Sequence, residues 1–129
     1  MVGKVLAALV AVGLHAPLNA QETQPQLVTI ELSSFAFTPS ELTLQHGHAY
    51  RLHLVNTSSG GHDFTAPEFF AASDVAPQDR ALVTDGKVRL SGHATADIAL
   101  TPEKAGTYKL HCSHMMHASF GMRGTITVQ

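Results

Sequence analysis

Residues 108–128 read YKLHCSHMMHASFGMRGTITV. The stretch begins with alternation: Tyr108, Leu110 and Cys112 fall on one face, Lys109 and His111 on the other. That period of two predicts a strand with Cys112 at its inner end. GTITV, residues 124–128, predicts a second strand that closes the chain. The loop between them carries His114, Met115, Met116, His117, Phe120 and Met122, a concentration of imidazole and thioether beside the chain's only cysteine.

The same alternation recurs upstream. LVTIELSS (27–34) sets Val28, Ile30 and Leu32 on one face, and AYRLHLVNT (49–57) sets Tyr50, Leu52 and Leu54 on one side. In the latter, Arg51, His53 and Val55 take the other side. KVRLSG (87–92) and TADIALTP (95–102) are further strand candidates. FAFTPSELTL (35–44) holds a Pro-Ser turn and then a short strand, while SSGG (58–61) and EKAG (103–106) read as loop and turn. APEFFAASDV (66–75) reads as one short helix, because Pro67 suits a helix's first turn. Many short alternating strands with little helix predict an all-β fold, a β-sandwich.

The chain has 129 residues, 44% hydrophobic and 14% charged, enough for one domain and too few for two. Residues 1–20 start with Lys4, continue in an apolar run from Val5 to Leu14 and end in small residues. This predicts a secretory signal peptide cleaved after Ala20. The run is short of the roughly 20 apolar residues that span a bilayer, and no later segment approaches that length, so no stable membrane insertion is expected of the mature chain. Residues 21–26 read as a flexible leader and 27–129 as the domain. The mature charge is mildly negative and the sequence holds no basic cluster, which argues against nucleic acid as a partner. Export points to the periplasm, where an unpaired thiol is a liability unless something occupies it. A bound metal would occupy Cys112.

Four residues separate Cys112 from His117, and four more separate His117 from Met122. A thiolate, an imidazole and a thioether on one loop make up most of a blue-copper site. His62, in SSGGHDF, follows a predicted strand and enters from another part of the fold. His62, Cys112 and His117 would form a trigonal plane, with Met122 as the weak axial ligand.

In these features the sequence resembles the cupredoxins, the small blue-copper proteins of the plastocyanin, azurin and auracyanin group. The resemblance covers essentially all of 27–129. It rests on Gly61-His62, on YKLHC, on His117 and on GMRGTITV. It implies a Greek-key β-sandwich with one short helix, one type 1 copper ion, and His62, Cys112, His117 and Met122 as its metal ligands. By analogy with azurin, the Gly61 carbonyl would approach the metal from the other side. Two departures stand out. The loop reads SHMM where Pro and Gly are common, and Asp63 stands where Asn often follows the first histidine. Asp63 is placed to hydrogen-bond across to the cysteine loop through Ser113, and an ionised carboxylate there would favour Cu(II).

Three functions compete. The first is a monomeric one-electron carrier between redox proteins, with Met115, Met116 and Phe120 as an apolar docking rim. The second is a periplasmic copper-binding or copper-tolerance protein whose surplus His and Met residues acquire or buffer Cu(I) for a copper-handling partner. The third is an enzyme, because multicopper oxidases carry a related His-Cys-His segment. His111-Cys112 matches its beginning, but Ser113 replaces the second histidine, and the chain has neither the several His-x-His pairs nor the extra domains. The sequence therefore favours a protein that is not an enzyme. An axial Met makes little sense for zinc. His46, His48, His53 and His93 read as surface histidines.

Overall fold

Strands that are apolar at every second position bury one face only, so two such sheets close on each other. The computed structural model, which describes residues 2–17, 23–114 and 117–129, shows this closure. One five-stranded sheet has the order β2-β1-β4-β8-β6, built from β1 (Gln26–Ser33), β2 (Ala36–Thr38), β4 (Tyr50–Asn56), β6 (Ser73–Val75) and β8 (Thr95–Pro102). The other has the order β3-β10-β9-β5-β7, built from β3 (Glu41–Leu44), β5 (His62–Thr65), β7 (Lys87–Leu90), β9 (Gly106–His111) and β10 (Arg123–Val128). β1 runs parallel to β4 and β3 parallel to β10; the remaining pairs are antiparallel. The chain passes back and forth between the sheets, and the expected all-β sandwich is borne out.

The core forms where the predicted inner faces meet. Ile30, Leu32, Leu52, Leu54 and Ile98 of the first sheet are buried with Leu44, Phe64, Val88, Leu110 and Ile126 of the second. Each such side chain contributes about 1.5–3 kcal/mol by leaving water.

Two elements differ from expectation. The segment 66–75 is not one helix. The α-helix α1 covers Pro67–Ala71 and buries Phe69 and Phe70, and Ser73–Val75 then becomes the edge strand β6. The Ser73 hydroxyl donates to the Phe69 carbonyl at 2.8 Å, and Val75 pairs with Leu100. Ser, Asp and Val are poor helix formers, so sheet pairing wins there. The second difference is β5, four residues that are all buried and so carry no alternation to read. Two 3-10 turns, Pro77–Leu82 and Ala118–Phe120, were also not foreseen.

Residues 2–17 carry no regular element, and Val5, Leu6, Leu9, Val12 and Leu14 are exposed. Ala20, the expected cleavage point, lies outside the described residues. Among those described, no helix is long and apolar enough to cross a membrane.

Candidate metal centre

Four candidate ligands come from three places at one end of the sandwich. His62 opens β5, Cys112 directly follows β9, His117 lies on the connecting loop, and Met122 directly precedes β10. Backbone hydrogen bonds fix the loop: Cys112 N–H donates to Met122 O at 3.2 Å, Met122 N–H to His117 O at 3.0 Å, and His117 N–H to His114 O at 3.1 Å. Cys112 and Met122 therefore face each other as an antiparallel pair would, one step beyond the register Arg123↔His111.

His62 is held differently. Asn56, at the end of β4, is buried and grips the loop that leads to it. Its amide donates to Gly60 O at 2.8 Å, Ser91 O at 2.9 Å and Leu90 O at 3.3 Å. Its carbonyl accepts from Ser58 N–H at 3.0 Å and from the Ser58 hydroxyl at 2.8 Å. Gly92 lets the next loop lie against this one, since a Cβ there would sit 2.1 Å from Ser59 O. Gly124 plays the same part at the start of β10, where a Cβ would sit 2.3 Å from Ser40 O.

The donor atoms converge. His62 Nδ1 lies 3.2 Å from His117 Nδ1, and Cys112 Sγ lies 3.4 Å from His117 Nδ1 and 3.9 Å from His62 Nδ1. First-row ions bond nitrogen at about 2.0 Å and thiolate at about 2.3 Å, which around a trigonal centre gives edges of about 3.5 Å between nitrogens and about 3.7 Å from sulfur to nitrogen. The observed triangle is of that size. Cys112 is 1% exposed, His62 4% and Met122 0%, while His117 is half-buried. One thiolate, two imidazoles and a buried thioether form a soft-to-borderline donor set, and the arrangement fits one type 1 copper ion.

Burial sets the protonation of these groups. It lowers the pKa of His62, helped by the neighbouring His117 and His114, so His62 offers a neutral lone pair. Burial pushes the Cys112 thiol up, against opposing hydrogen bonds from the His114 and Asp63 backbone N–H groups. Those two N–H groups favour the thiolate over the thiol.

Asp63 ties β5 to the cysteine loop, as its place in the sequence implies. It accepts from Ser113 N–H at 2.8 Å, from the Ser113 hydroxyl and from the Thr65 hydroxyl. Burial alone would raise its pKa, but these hydrogen bonds outweigh that and hold it below the usual carboxylate range. Lys87 Nζ donates to the Ser113 hydroxyl at 3.1 Å and extends the network outward.

The structure adds neighbours that sequence reasoning missed. Phe35, in the β1–β2 turn at φ 63°, meets the His117 ring edge-on at 5.2 Å and Phe120 at 5.3 Å. Phe35 and Phe120 are both exposed, so together they form an apolar rim beside His117. Met115 and Met116, expected in the same rim, lie outside the described residues. His114 stacks on His117 at 5.2 Å, and its Nε2 lies 3.7 Å from an Asp63 oxygen. Asp63, Cys112 and His114 form a second donor group that shares the thiol with the first. His62, His114 and His117 line an open cavity of about 440 Å³ together with Phe35 and Gly61. Away from the site, His46, His48 and His93 are exposed, whereas His53 is half-buried and pairs with Asp97 at 2.8 Å.

No curated protein matches the chain by sequence. Among solved structures, dithionite-reduced auracyanin from the photosynthetic bacterium Roseiflexus castenholzii superposes with TM-score 0.62 at 18% identity, over 81% of this chain and 97% of that one. Auracyanin B gives 0.59 at 21% identity, over 84% and 91%. Auracyanin A from Chloroflexus aurantiacus, described as a "blue" copper protein, gives 0.55 at 21% identity, over 80% and 99%. At these identities the likeness is one of fold. Residues 4–128 match the family model of the cupredoxin-like domain, and the chain belongs to that family.

Proposed function

We propose that His62, Cys112 and His117 hold one copper ion with Met122 as a weak axial ligand, and that the chain is a periplasmic one-electron carrier. In this reading residues 1–20 are a cleaved signal peptide, 21–26 a leader and 27–129 the working domain. The observation that carries the proposal is the triangle of His62, Cys112 and His117 donors, with the fully buried Met122 paired to Cys112 through the backbone. When bound, copper supplies a Cu(I)/Cu(II) couple. The thiolate and thioether suit the reduced ion, and the imidazoles suit both states. The protein's part is to keep the donors in place through the change of charge. The Asn56 network holds the loop that leads to His62, and the Asp63 network ties β5 to the cysteine loop. The exposed Phe35 and Phe120 give a redox partner an apolar place to approach His117. The likeness to a protein described as a blue copper protein agrees with this reading. So does Ser113, which stands where an oxidase segment would have its second histidine, and the reading is of a carrier and not an enzyme.

A second reading, copper sequestration or delivery, rests on His114. Its ring is exposed beside the first triangle and shares Cys112 with Asp63 in the second donor group. Optical and EPR spectra of the Cu(II) form, followed by a redox titration, test both readings. The carrier requires a type 1 spectrum and fast reversible exchange with a cytochrome. Tight Cu(I) retention without such exchange would favour handling. Cys112→Ser should abolish the intense visible band while the copper-free sandwich stays folded; a variant that keeps the band would refute the ligand set.

A further inference from the structure

The register of the second sheet gathers cations that the sequence keeps far apart. The pairings Arg123↔His111, Thr65↔His111 and Thr65↔Lys87 align Arg123, His111, Thr65 and Lys87 in one row across β10, β9, β5 and β7. Lys109 and Arg89 stand two residues from His111 and Lys87 on the same strands. These positions alternate with the buried Leu110, Phe64 and Val88, so they face outward. Arg89, Lys109 and Arg123 are exposed, and Lys87 and His111 are half-buried.

The face is an electrostatic exception. It carries four of the eight Lys and Arg residues, against the carboxylates Glu41 and Asp63. The rest of residues 23–129 has three, Arg51, Arg80 and Lys104, against seven carboxylates. Lys87, Arg89 and Lys109 take part in no ion pair among the described residues, whereas Arg51 and Arg80 face Asp97 and Asp74. Lys109, His111 and Arg123 border an open groove of about 560 Å³ that also meets Glu41. His111 precedes Cys112 in the chain, so this basic row ends beside the proposed ligand.

We propose that the outer face of this sheet docks the acidic surface of a protein partner, with Lys87, Arg89, Lys109, His111 and Arg123 steering its approach. That the partner is a redox protein rests on the electron-carrier reading; the docking itself does not. A chain acidic elsewhere and basic on one face carries a dipole that orients an acidic partner before contact. A membrane fits less well. Among the described residues no exposed aromatic or aliphatic side chain lies on this face to insert, and four Lys and Arg residues are at the lower limit of clusters that bind a lipid surface.

The test uses the full-length, 15N-labelled Cu(I) form titrated with an acidic c-type cytochrome. Amide shifts should cluster at Lys87, Arg89, Lys109, His111 and Arg123. They should vanish when ionic strength is raised from about 10 mM to about 150 mM, which shortens the Debye length from about 30 Å to about 8 Å. The double variant Lys109→Glu, Arg123→Glu should bind at least tenfold more weakly, and Lys109→Gln should fall in between with an unchanged melting temperature. Shifts confined to other surfaces would overturn the proposal, and so would an unaffected double variant. Binding to phosphatidylglycerol vesicles with no response to the cytochrome would overturn it in favour of a membrane. Electron exchange with hydroquinone and with the cytochrome separates the two claims. Shifts on this face without exchange leave the docking standing and remove the carrier; exchange that the double variant does not slow leaves the carrier standing and removes the docking.

Discussion

Asn56→Ala tests how His62, the histidine distant in sequence from the cysteine loop, is held. Four of the bonds made by this side chain are 2.8–3.0 Å long, to Gly60 O, Ser91 O, Ser58 N–H and the Ser58 hydroxyl. Each is worth about 0.5–1.5 kcal/mol net. Gly60 and Ser91 are exposed, so water can replace part of what is lost, but the Leu90 carbonyl lies on the buried side. The expected loss is about 2–4 kcal/mol. For a domain of this size that lowers the melting temperature of the copper-free protein by about 10–20 °C. Ser58→Ala, which keeps the Asn56 amide bonds, should cost only about 1 kcal/mol. Copper affinity should fall with Asn56→Ala as well, because the freed loop carries Gly61 and His62. Calorimetry of the copper-free variants, with a competitive Cu(I) titration, checks both effects. A melting temperature within about 3 °C of the parent would refute the claim that Asn56 pins this loop.

The ligand register is tested by replacing either histidine of the triangle with Gly. His62→Gly and His117→Gly should lose the type 1 spectrum and regain it with added imidazole, whereas His114→Ala should leave it nearly unchanged; the reverse pattern would show the loop to be read in the wrong register. Met122→Leu should keep copper and colour but raise the reduction potential by voltammetry, because losing the thioether disfavours the extra charge of Cu(II). A rise of about 60 mV would correspond to about 1.4 kcal/mol for one electron, and outright loss of copper would contradict a weak axial role. For Asp63, burial is outweighed by the Ser113 and Thr65 hydrogen bonds and the folded pKa is depressed. Its stabilisation is therefore complete above about pH 4, the unfolded value, and is lost as pH falls through the lower folded value. Urea unfolding of the copper-free parent and of Asp63→Asn should show a gap at neutral pH that closes on acidification, and a gap independent of pH would count against the network.

What was legible in the sequence was whatever leaves a period or a spacing. Tyr50, Leu52 and Leu54 announce β4 because one face of that strand is wet. His62-Asp63-Phe64-Thr65 announces nothing, because the cysteine loop covers the outer face and all four residues are buried. The proposed metal ligands were readable because Cys112, His117 and Met122 share one loop. The side chains that support them were not. Asn56 is one polar residue at a strand end, and Phe35 is one aromatic at a turn. Each acts through residues distant in the chain, Asn56 through Leu90 and Ser91, Phe35 through His117. The basic face escaped for the same reason, since its members lie on three separate strands and adjoin only through register.

The geometry of these donors bears on how they would hold a metal. Two Nδ1 atoms facing each other at 3.2 Å can share only one hydrogen, so a second proton is disfavoured there, in keeping with the lowered pKa of His62. The Cys112 thiol is pushed up by burial and holds its own proton. A metal held at these three positions would release the thiol proton, while an imidazole hydrogen at Nδ1 would pass to the other ring nitrogen, so affinity would depend on pH through the thiol. The Asp63 and His114 backbone N–H groups favour the thiolate, against the burial that raises the thiol. The cost of assembling the donors is thus met when the sandwich folds. A framework that fixes its donors through backbone and side-chain hydrogen bonds would have little left to rearrange when the charge on a bound ion changes by one.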